Sequence, residues 1–169
     1  MTPNIVPKTD YYQRKSHKNA DGTPCFYSPE DQANENEMRM ILGYLWNCEI
    51  KPFGQLSPVD FFAVRNGSMV SVLELKTRSH PTDQYPTVYL NVRKWGSLML
   101  YQFGLGCPAL FVVRFTDGYR WIDVNQIDAS KWKIGGTKKI VKSHTDIEPV
   151  ILVPIDAMSE LATDQEEIY

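Results

Sequence analysis

The sequence predicts an α/β (α+β) fold in which a central mixed sheet is flanked by helices. Three observations predict it: an amphipathic helical pattern near residues 28–47, a series of short β-type segments that contains a hairpin signal, and the apolar run Ala109–Phe115, which is typical of a strand buried on both faces. With 169 residues and 43% hydrophobic content, the chain can bury a sizeable core. We therefore expect a single domain.

The N-terminal segment, residues 1–27, is expected to be an extended basic arm that precedes the single domain over residues 28–169. It contains several prolines and shows neither helical nor strand periodicity. A second basic segment near residues 131–142, around Gly135-Gly136, predicts a loop or hairpin. Both basic clusters can be explained either as solvated surface or as contacts to phosphate groups, since a charge run alone does not discriminate between them.

The first helix is predicted to begin at Ser28-Pro29 and to run to about Asn47. Serine can cap a helix, proline suits its first turn, and the acidic residues that follow complement the helix dipole. One face has the i, i+3, i+4, i+7 spacing of an amphipathic helix, and its members are Ala33, Glu37, Met40, Ile41, Tyr44 and Leu45. Met38, Leu42 and Trp46 broaden this apolar surface.

We expect an antiparallel meander of three short strands next, over Glu49–Phe53, Val59–Arg65 and Met69–Lys76. Asn66-Gly67 is a strong hairpin signal between the last two. After the apolar stretch Val88–Leu90, a second helix is predicted from Val92 towards Phe103. Asn91 can cap it, and two glycines stop it.

Later strands complete the predicted order α, β, β, β, α, β, β. The apolar run Ala109–Phe115 is followed by an Asp117-Gly118 turn and by a strand over Tyr119–Val124. The segment Val150–Ile155 is predicted to be the last strand.

Composition argues against several classes of protein. No apolar run approaches the ~18 residues that a membrane span needs, and the N-terminus lacks the apolar core of a signal peptide, so we expect a cytoplasmic protein of a bacterial, archaeal or phage-infected host cell. Widely spaced cysteines, and histidines without ligand spacing, argue against a disulfide framework and a zinc site. The net charge of −2 does not by itself indicate a nucleic-acid partner.

The residues with the clearest chemistry are Asp60, Glu74 and Lys76. Glu74 and Lys76 are two residues apart on a predicted strand, so their side chains project from the same face. Asp60 begins the preceding strand, and the hairpin returns it towards Glu74. Paired carboxylates suit Mg²⁺ or Mn²⁺, and a nearby lysine can orient a water or stabilise negative charge, which together meet the requirements of phosphodiester hydrolysis.

The alignment of Asp60 with Glu74 depends on the turn between their strands. A two-residue Asn66-Gly67 loop pairs Arg65 with Ser68, and a straight hairpin would then place the two carboxylates on opposite faces. We therefore predict either a three-residue loop or a bulge between Asp60 and the turn. A straight hairpin would exclude a shared metal.

Pro58-Val59-Asp60, followed after 13 residues by Glu74-Leu75-Lys76, resembles the signature of the PD-(D/E)XK nuclease superfamily. The predicted elements are similar to the restriction-endonuclease-like αβββαβ core of that superfamily. Members often place a further acid on the first helix; Glu37 occupies the corresponding position, with Glu35 as the alternative. Alternating charges on an exposed strand would also give Glu74 and Lys76, and a core acid paired with a neighbouring arginine would also explain Glu37. The nuclease interpretation is favoured because the Asp after Pro-Val, the helical acid and the order of the elements all agree with it.

The likeness extends to archaeal-type Holliday-junction resolvases and phage endonucleases, and it covers roughly Asn34–Asn125. The matching segments are Val88–Leu90, Arg93–Gly96, Pro108–Phe115 and Trp121–Val124.

The resemblance assigns roles to individual residues. Asp60, Glu74 and the backbone carbonyl of Leu75 would ligate Mg²⁺ (or Mn²⁺), and Glu37 would close the site directly or through water. Lys76 would position the nucleophile. Contacts to DNA phosphates are implied for Thr77, Arg78, Arg93 and Lys94.

The function that the resemblance implies is a metal-dependent DNA endonuclease that needs no nucleotide cofactor and no membrane. Structure-selective cleavage of branched DNA by a homodimer is the first hypothesis. One alternative is a restriction-like or phage recombination nuclease that acts on duplex DNA or on ends. Another is a non-catalytic DNA-binding module that keeps the fold, which would fit the pI of about 5.9.

Overall fold

The computed structural model describes residues 17–18, 24–25, 29–54, 57–135 and 148–161. The helices in these ranges are α1, Pro29–Leu45, and α2, Val92–Leu105, and neither is long and apolar enough to cross a membrane. The strands are β1 His17–Lys18, β2 Pro24–Cys25, β3 Glu49–Pro52, β4 Phe61–Arg65, β5 Ser68–Thr77, β6 Thr87–Asn91, β7 Ala109–Phe115, β8 Gly118–Asp123, β9 Trp132–Gly135, β10 Glu148–Pro154 and β11 Ser159–Leu161.

Six of the described strands form one mixed sheet in the order β11-β8-β7-β5-β4-β3. β5 and β7 run parallel, and the other neighbouring pairs of this sheet are antiparallel. Parallel neighbours need a long connection, which β6 and α2 provide. The predicted α/β (α+β) fold with a central mixed sheet and flanking helices is therefore confirmed.

The second helix begins where the sequence predicts and ends two residues later. The side-chain oxygen of Asn91 accepts a hydrogen bond from the backbone N–H of Arg93 at 2.8 Å, so Asn91 caps α2. Gly106 ends the helix in the left-handed conformation, with φ 66°, and its N–H donates to the carbonyl of Gln102. Glycine adopts this conformation without a steric penalty.

The central sheet has a hydrophobic core on each face. The first core joins α1 to β3, β4, β5, β7 and β8 through Met38, Leu42, Ile50, Phe61, Ala63, Leu73, Leu75, Val112 and Tyr119. The second core joins α2 to the other face of the sheet, and its members include Val72, Val88, Leu90, Leu98, Phe111, Val113, Ile151 and Val153. Even-numbered β5 residues near Val72 thus face α2, which is the side of the sheet that holds Glu74 and Lys76.

A second sheet, in the order β6-β10-β9, contributes Val88, Leu90, Ile151 and Val153 to the core beneath α2. The sequence-based expectation does not include this sheet, because the pairing partners β6 and β10 are far apart in the chain. β10 is not the last strand, contrary to the prediction, since β11 follows it and pairs with β8.

The two segments expected to be basic and irregular are described only in part. β1 and β2 pair with each other within the expected N-terminal arm, and β9 at the start of the second segment pairs with β10. The rest of the arm, with the predicted cap Ser28, and residues 136–147 lie outside the described residues.

The buried face of α1 differs from the predicted stripe. Met40 and Tyr44 are 77% and 61% exposed, whereas Met38 and Leu42 are fully buried. The apolar residues of α1 occupy more than one face, so periodicity alone leaves the rotation of the helix undetermined. Contact with the sheet residues of the first core decides it.

The β4–β5 hairpin contains the bulge that the sequence predicts as one of two options. Asn66-Gly67 forms a two-residue turn with φ values of 51° and 76°, and Arg65 pairs with Ser68. Val64 pairs with Met69 but Ala63 pairs with Ser71, so Val70 is an extra residue in β5. The bulge shifts the remaining register by one residue.

Candidate active site

Asp60 lies at the N-terminal end of β4, opposite Glu74 of β5. The last ladder pair is Phe61 with Leu73, and the next antiparallel position places Asp60 against Glu74, on one face of the sheet. The backbone of Asp60 continues the ladder with β3, because its carbonyl accepts a hydrogen bond from the N–H of Phe53 at 2.9 Å. Sheet pairing on both sides therefore fixes the position of Asp60.

Lys94 connects these two carboxylates. Its Nζ donates to Oδ1 of Asp60 and lies 3.2 Å from Oε2 of Glu74. Lys94 is the third residue of α2, whose start is fixed by the Asn91 cap. The sequence suggests Lys94 only as a phosphate contact, because no local spacing links it to Glu74 or to Asp60, which lies 34 residues earlier in the chain.

The electrostatics of the pair follow from burial and from the closeness of the two acids. Burial raises the pKa of Glu74 to about 8; the Asp60 carboxyl adds to the rise, and Lys94 opposes it. Burial lowers the pKa of Lys94, but Glu74 and Asp60 outweigh it, so the net shift is upward. Lys94 thus stays protonated at neutral pH, and burial favours the protonated form of Glu74.

Lys76 lies on the same face of β5 as Glu74, two residues further along the strand. Burial lowers the pKa of Lys76 to about 8, with Arg78 adding to the fall and Glu74 and Glu148 opposing it. Glu148, at the start of β10, is an acid near the site that the resemblance does not include. Its segment has no motif that would have identified it.

The donor set fits a divalent cation. Oε2 of Glu74 is buried and has no hydrogen-bond partner of good geometry among the described residues. Asp60 offers a second carboxylate on the same side, and Lys94 already places a positive charge between the two. The described residues contain no group of three acidic, histidine or cysteine ligands. Mg²⁺ commonly uses one or two carboxylates and completes its shell with water and phosphate oxygens.

The two candidate acids of α1 lie in different environments. Glu37 is exposed and forms an ion pair with Nη1 of Arg114 at 2.5 Å, so the structure does not bring it to Asp60 and Glu74. Glu35 is half-buried and lies one turn before the buried Met38, on the same side of the helix. Thr77 donates to Sδ of Met38 at 3.5 Å, which places this side of α1 against the end of β5.

The other predicted DNA contacts lie at the end of β5 and at the start of α2. Thr77 is exposed and Arg78 is half-buried at the end of β5, where the Arg78 N–H donates to the carbonyl of Arg114 at 2.8 Å. Arg93 is exposed in the first turn of α2, next to Lys94. Arg78 is near enough to Lys76 to lower its pKa, whereas the Thr77 side chain contacts Met38 of α1 on the other face of the sheet.

The chain was compared with protein families by sequence and with solved structures by fold. A family described as "Phage putative PDDEXK endonuclease" matches residues 23–161. Among solved structures, a Holliday junction resolvase from the archaeal hyperthermophile Archaeoglobus fulgidus is similar, with 14% sequence identity, a TM-score of 0.49, and coverage of 81% of this chain and 98% of that chain. No curated protein matches the sequence. The family match includes every candidate site residue from Glu35 to Glu148.

Proposed function

Since the chain belongs to the phage PDDEXK endonuclease family, we propose that it cleaves DNA by hydrolysis of phosphodiester bonds, with Mg²⁺ or Mn²⁺ held by Asp60 and Glu74. The observation that supports the proposal best is the alignment of these two carboxylates, with Lys76 next to Glu74 on the same face. The burial of Glu74 beside Asp60 raises its pKa to about 8, and groups perturbed in this way are concentrated at functional sites.

Asp60 and Glu74 are the proposed metal ligands, with the backbone carbonyl of Leu75 as a third. The cation, when bound, supplies charge neutralisation at the scissile phosphate and activates a water. A bound cation would also lower the pKa of Glu74 and release its proton, because an adjacent positive charge favours the carboxylate. Affinity for the metal should therefore rise with pH.

Lys76 is the proposed group that positions the attacking water and stabilises negative charge on the phosphate. With a pKa of about 8, Lys76 is mostly protonated at neutral pH, but its pKa is close enough to that pH for it to exchange a proton with a water. Its burial limits competing contacts with solvent, so its ammonium group is held near the site. Removal of Lys76 should lower the cleavage rate more than it lowers DNA binding.

A helical acid completes the proposed site. Both candidates belong to α1, which packs on the opposite face of the sheet from Glu74 and Lys76, so either acid would have to reach the site around the end of β5. We propose Glu35 for this role ahead of Glu37, because Glu35 lies on the side of α1 that contacts Thr77 at that end. Glu37 is paired with Arg114 instead. Either acid would act through a water rather than as a direct ligand, since the described residues form no three-ligand cluster.

DNA is the proposed substrate, with phosphates contacted by Thr77, Arg78 and Arg93. Arg93 is exposed at the N-terminus of α2, where the helix dipole also favours an anion.

Selectivity for branched DNA is part of the proposal, as is a homodimer. The support for a dimer is an apolar face of α2 on which Leu100 and Phe103 are 70% and 78% exposed. Sedimentation of the wild type and of Phe103→Glu tests the dimer, since the charge should give a monomer.

The central experiment compares the wild type with Lys76→Ala on linear duplex, single-stranded and four-way-junction DNA. Each reaction contains Mg²⁺, Mn²⁺ or a chelator. We expect cleavage with either ion, none with chelator, and a loss of about 100-fold or more in rate for Lys76→Ala. A junction cut faster than the other substrates supports structure selectivity.

Lys51→Ala is the matched control, because Lys51 is an exposed lysine on β3 that forms an ion pair with Glu49. It should cleave like the wild type. If the wild type cuts nothing with either ion but still binds DNA, the chain is a binding module that keeps the nuclease fold. Cleavage that persists in chelator would contradict the metal requirement.

A further inference from the structure

Lys94 occupies the place between the two proposed metal ligands. Its Nζ donates to Oδ1 of Asp60 and lies 3.2 Å from Oε2 of Glu74. A divalent cation held by the same two carboxylates would need the same space. Two cations a few ångströms apart in a partly buried site repel each other strongly, because little water screens them.

The ammonium group of Lys94 accounts for how the site can exist without a metal. Glu74 is buried and faces Asp60, and whenever both acids are ionised their negative charges repel each other. Lys94 offsets part of this repulsion through contacts to both acids. The pair is thus held in alignment by a charge that belongs to the chain itself.

Lys94 also has a route away from the acids. Its side chain is 30% exposed, and four methylene groups give it a wide reach. It projects from the first turn of α2 beside the exposed Arg93. A DNA phosphate near this helix terminus would offer Lys94 a new anionic partner.

We propose that Lys94 is an internal counter-ion that fills the metal position in the metal-free protein and moves to a DNA phosphate when the metal enters. This inference rests on the proposed function, because it requires Asp60 and Glu74 to hold a metal. One consequence is that metal and DNA favour each other's binding: the metal releases Lys94 from the two acids so that it can contact DNA, and a DNA phosphate that binds Lys94 leaves the two acids free for the metal.

The first test uses the wild-type protein and amine acetylation. The protein is treated with an N-hydroxysuccinimide ester of acetate in chelator or in Mg²⁺, and acetylation of each lysine is measured by peptide mass spectrometry. We expect acetylation of Lys94 to increase severalfold in Mg²⁺, because the amine leaves its two carboxylate partners. Lys51 serves as the internal reference and should not change. Equal acetylation of Lys94 with and without Mg²⁺ would overturn the proposal.

The second test measures Mn²⁺ affinity from the paramagnetic resonance signal of free Mn²⁺. Lys94→Met removes the charge but keeps an unbranched side chain, and it should lower the Kd for Mn²⁺ about tenfold, which corresponds to about 1.4 kcal/mol. Lys51→Met should bind like the wild type. Circular dichroism shows whether Lys94→Met is folded, and if it is not, the acetylation result on the wild type decides.

Glu74→Gln distinguishes failure of this proposal from failure of the proposed function. If the wild type and Lys94→Met bind Mn²⁺ equally and Glu74→Gln does not bind, the metal site stands and the role of Lys94 is wrong. If none of these proteins binds Mn²⁺, both the metal site and the counter-ion are wrong.

Discussion

Asp60 and Glu74 face each other across the β4–β5 hairpin because Val70 is an extra residue in β5. Without a bulge, the two-residue turn would pair Asp60 with Leu73 and leave the two carboxylates on opposite faces. With it, Ala63 pairs with Ser71 and Phe61 with Leu73, and the acids share the face that α2 covers. An irregularity near the turn therefore determines whether the two acids can act together.

The first prediction is that Asp60 and Glu74 act as one unit. Asp60→Asn and Glu74→Gln should each lower the cleavage rate about 100-fold or more, and the double variant should be no slower than the worse single variant, because either change alone disables the shared site. The control is Asp128→Asn, which should cleave at the wild-type rate. Asp128 is an exposed acid that accepts a hydrogen bond from the Ser130 hydroxyl. Losses that multiply in the double variant would mean that the two acids act at separate places.

The fold could be predicted from sequence where one strong local signal was enough. Ala109–Phe115 is apolar almost throughout and matches β7 at both ends, and Asn91 and Gly106 cap α2 as expected. The rotation of α1 could not be predicted, because Met38 and Met40 are both apolar and only the sheet beneath the helix distinguishes them.

The second prediction tests this rotation of α1. Met38→Ala removes a fully buried side chain and should lower the free energy of unfolding by about 2–5 kcal/mol. Met40→Ala removes a side chain that is 77% exposed and should change it by less than about 0.5 kcal/mol. Urea denaturation of both variants measures the difference. Equal losses would show that the helix has a different rotation in solution.

The third prediction concerns the helical acid. Glu35→Gln should slow cleavage about tenfold or more, because a residue that supports a metal site from outside its ligands typically contributes that much. Glu37→Gln should change the rate less than about threefold, since it removes only an exposed ion pair with Arg114. The two variants control for each other, as both change one glutamate of the same helix. The opposite order of effects would return the role to Glu37.

The candidate site could be predicted in part. The spacing of Glu74 and Lys76 requires only strand geometry, and the position of Asp60 follows once a bulge is allowed. The bridging place of Lys94 could not be predicted, because it depends on how the start of α2 lies over the hairpin, a tertiary relationship that no local pattern contains. The same holds for Glu148, which reaches the neighbourhood of Lys76 from a separate sheet.

The fourth prediction concerns the pH dependence of stability without metal. The pKa of Glu74 is raised from 4.5 to about 8 in the folded protein. Between pH 4.5 and about pH 8, Glu74 has therefore lost its proton in the unfolded chain but retains it in the folded protein. The folded state binds more protons in this window, and its stability therefore falls as pH rises, by up to about 1.4 kcal/mol per pH unit from this group alone. The stabilisation should be complete below about pH 4.5 and lost above about pH 8.

Urea denaturation in chelator at pH 5, 6.5 and 8 measures this effect in the wild type and in Glu74→Gln. Glutamine stays neutral throughout, so the variant should lose less stability than the wild type as pH increases, and the difference between the two should grow steadily up to about pH 8. Glu160→Gln changes an acid whose side chain is 70% exposed and should follow the wild type. If Glu74→Gln and the wild type show parallel pH profiles, the Glu74 carboxyl does not retain its proton in the folded protein. Burial next to Asp60 would then not control its titration.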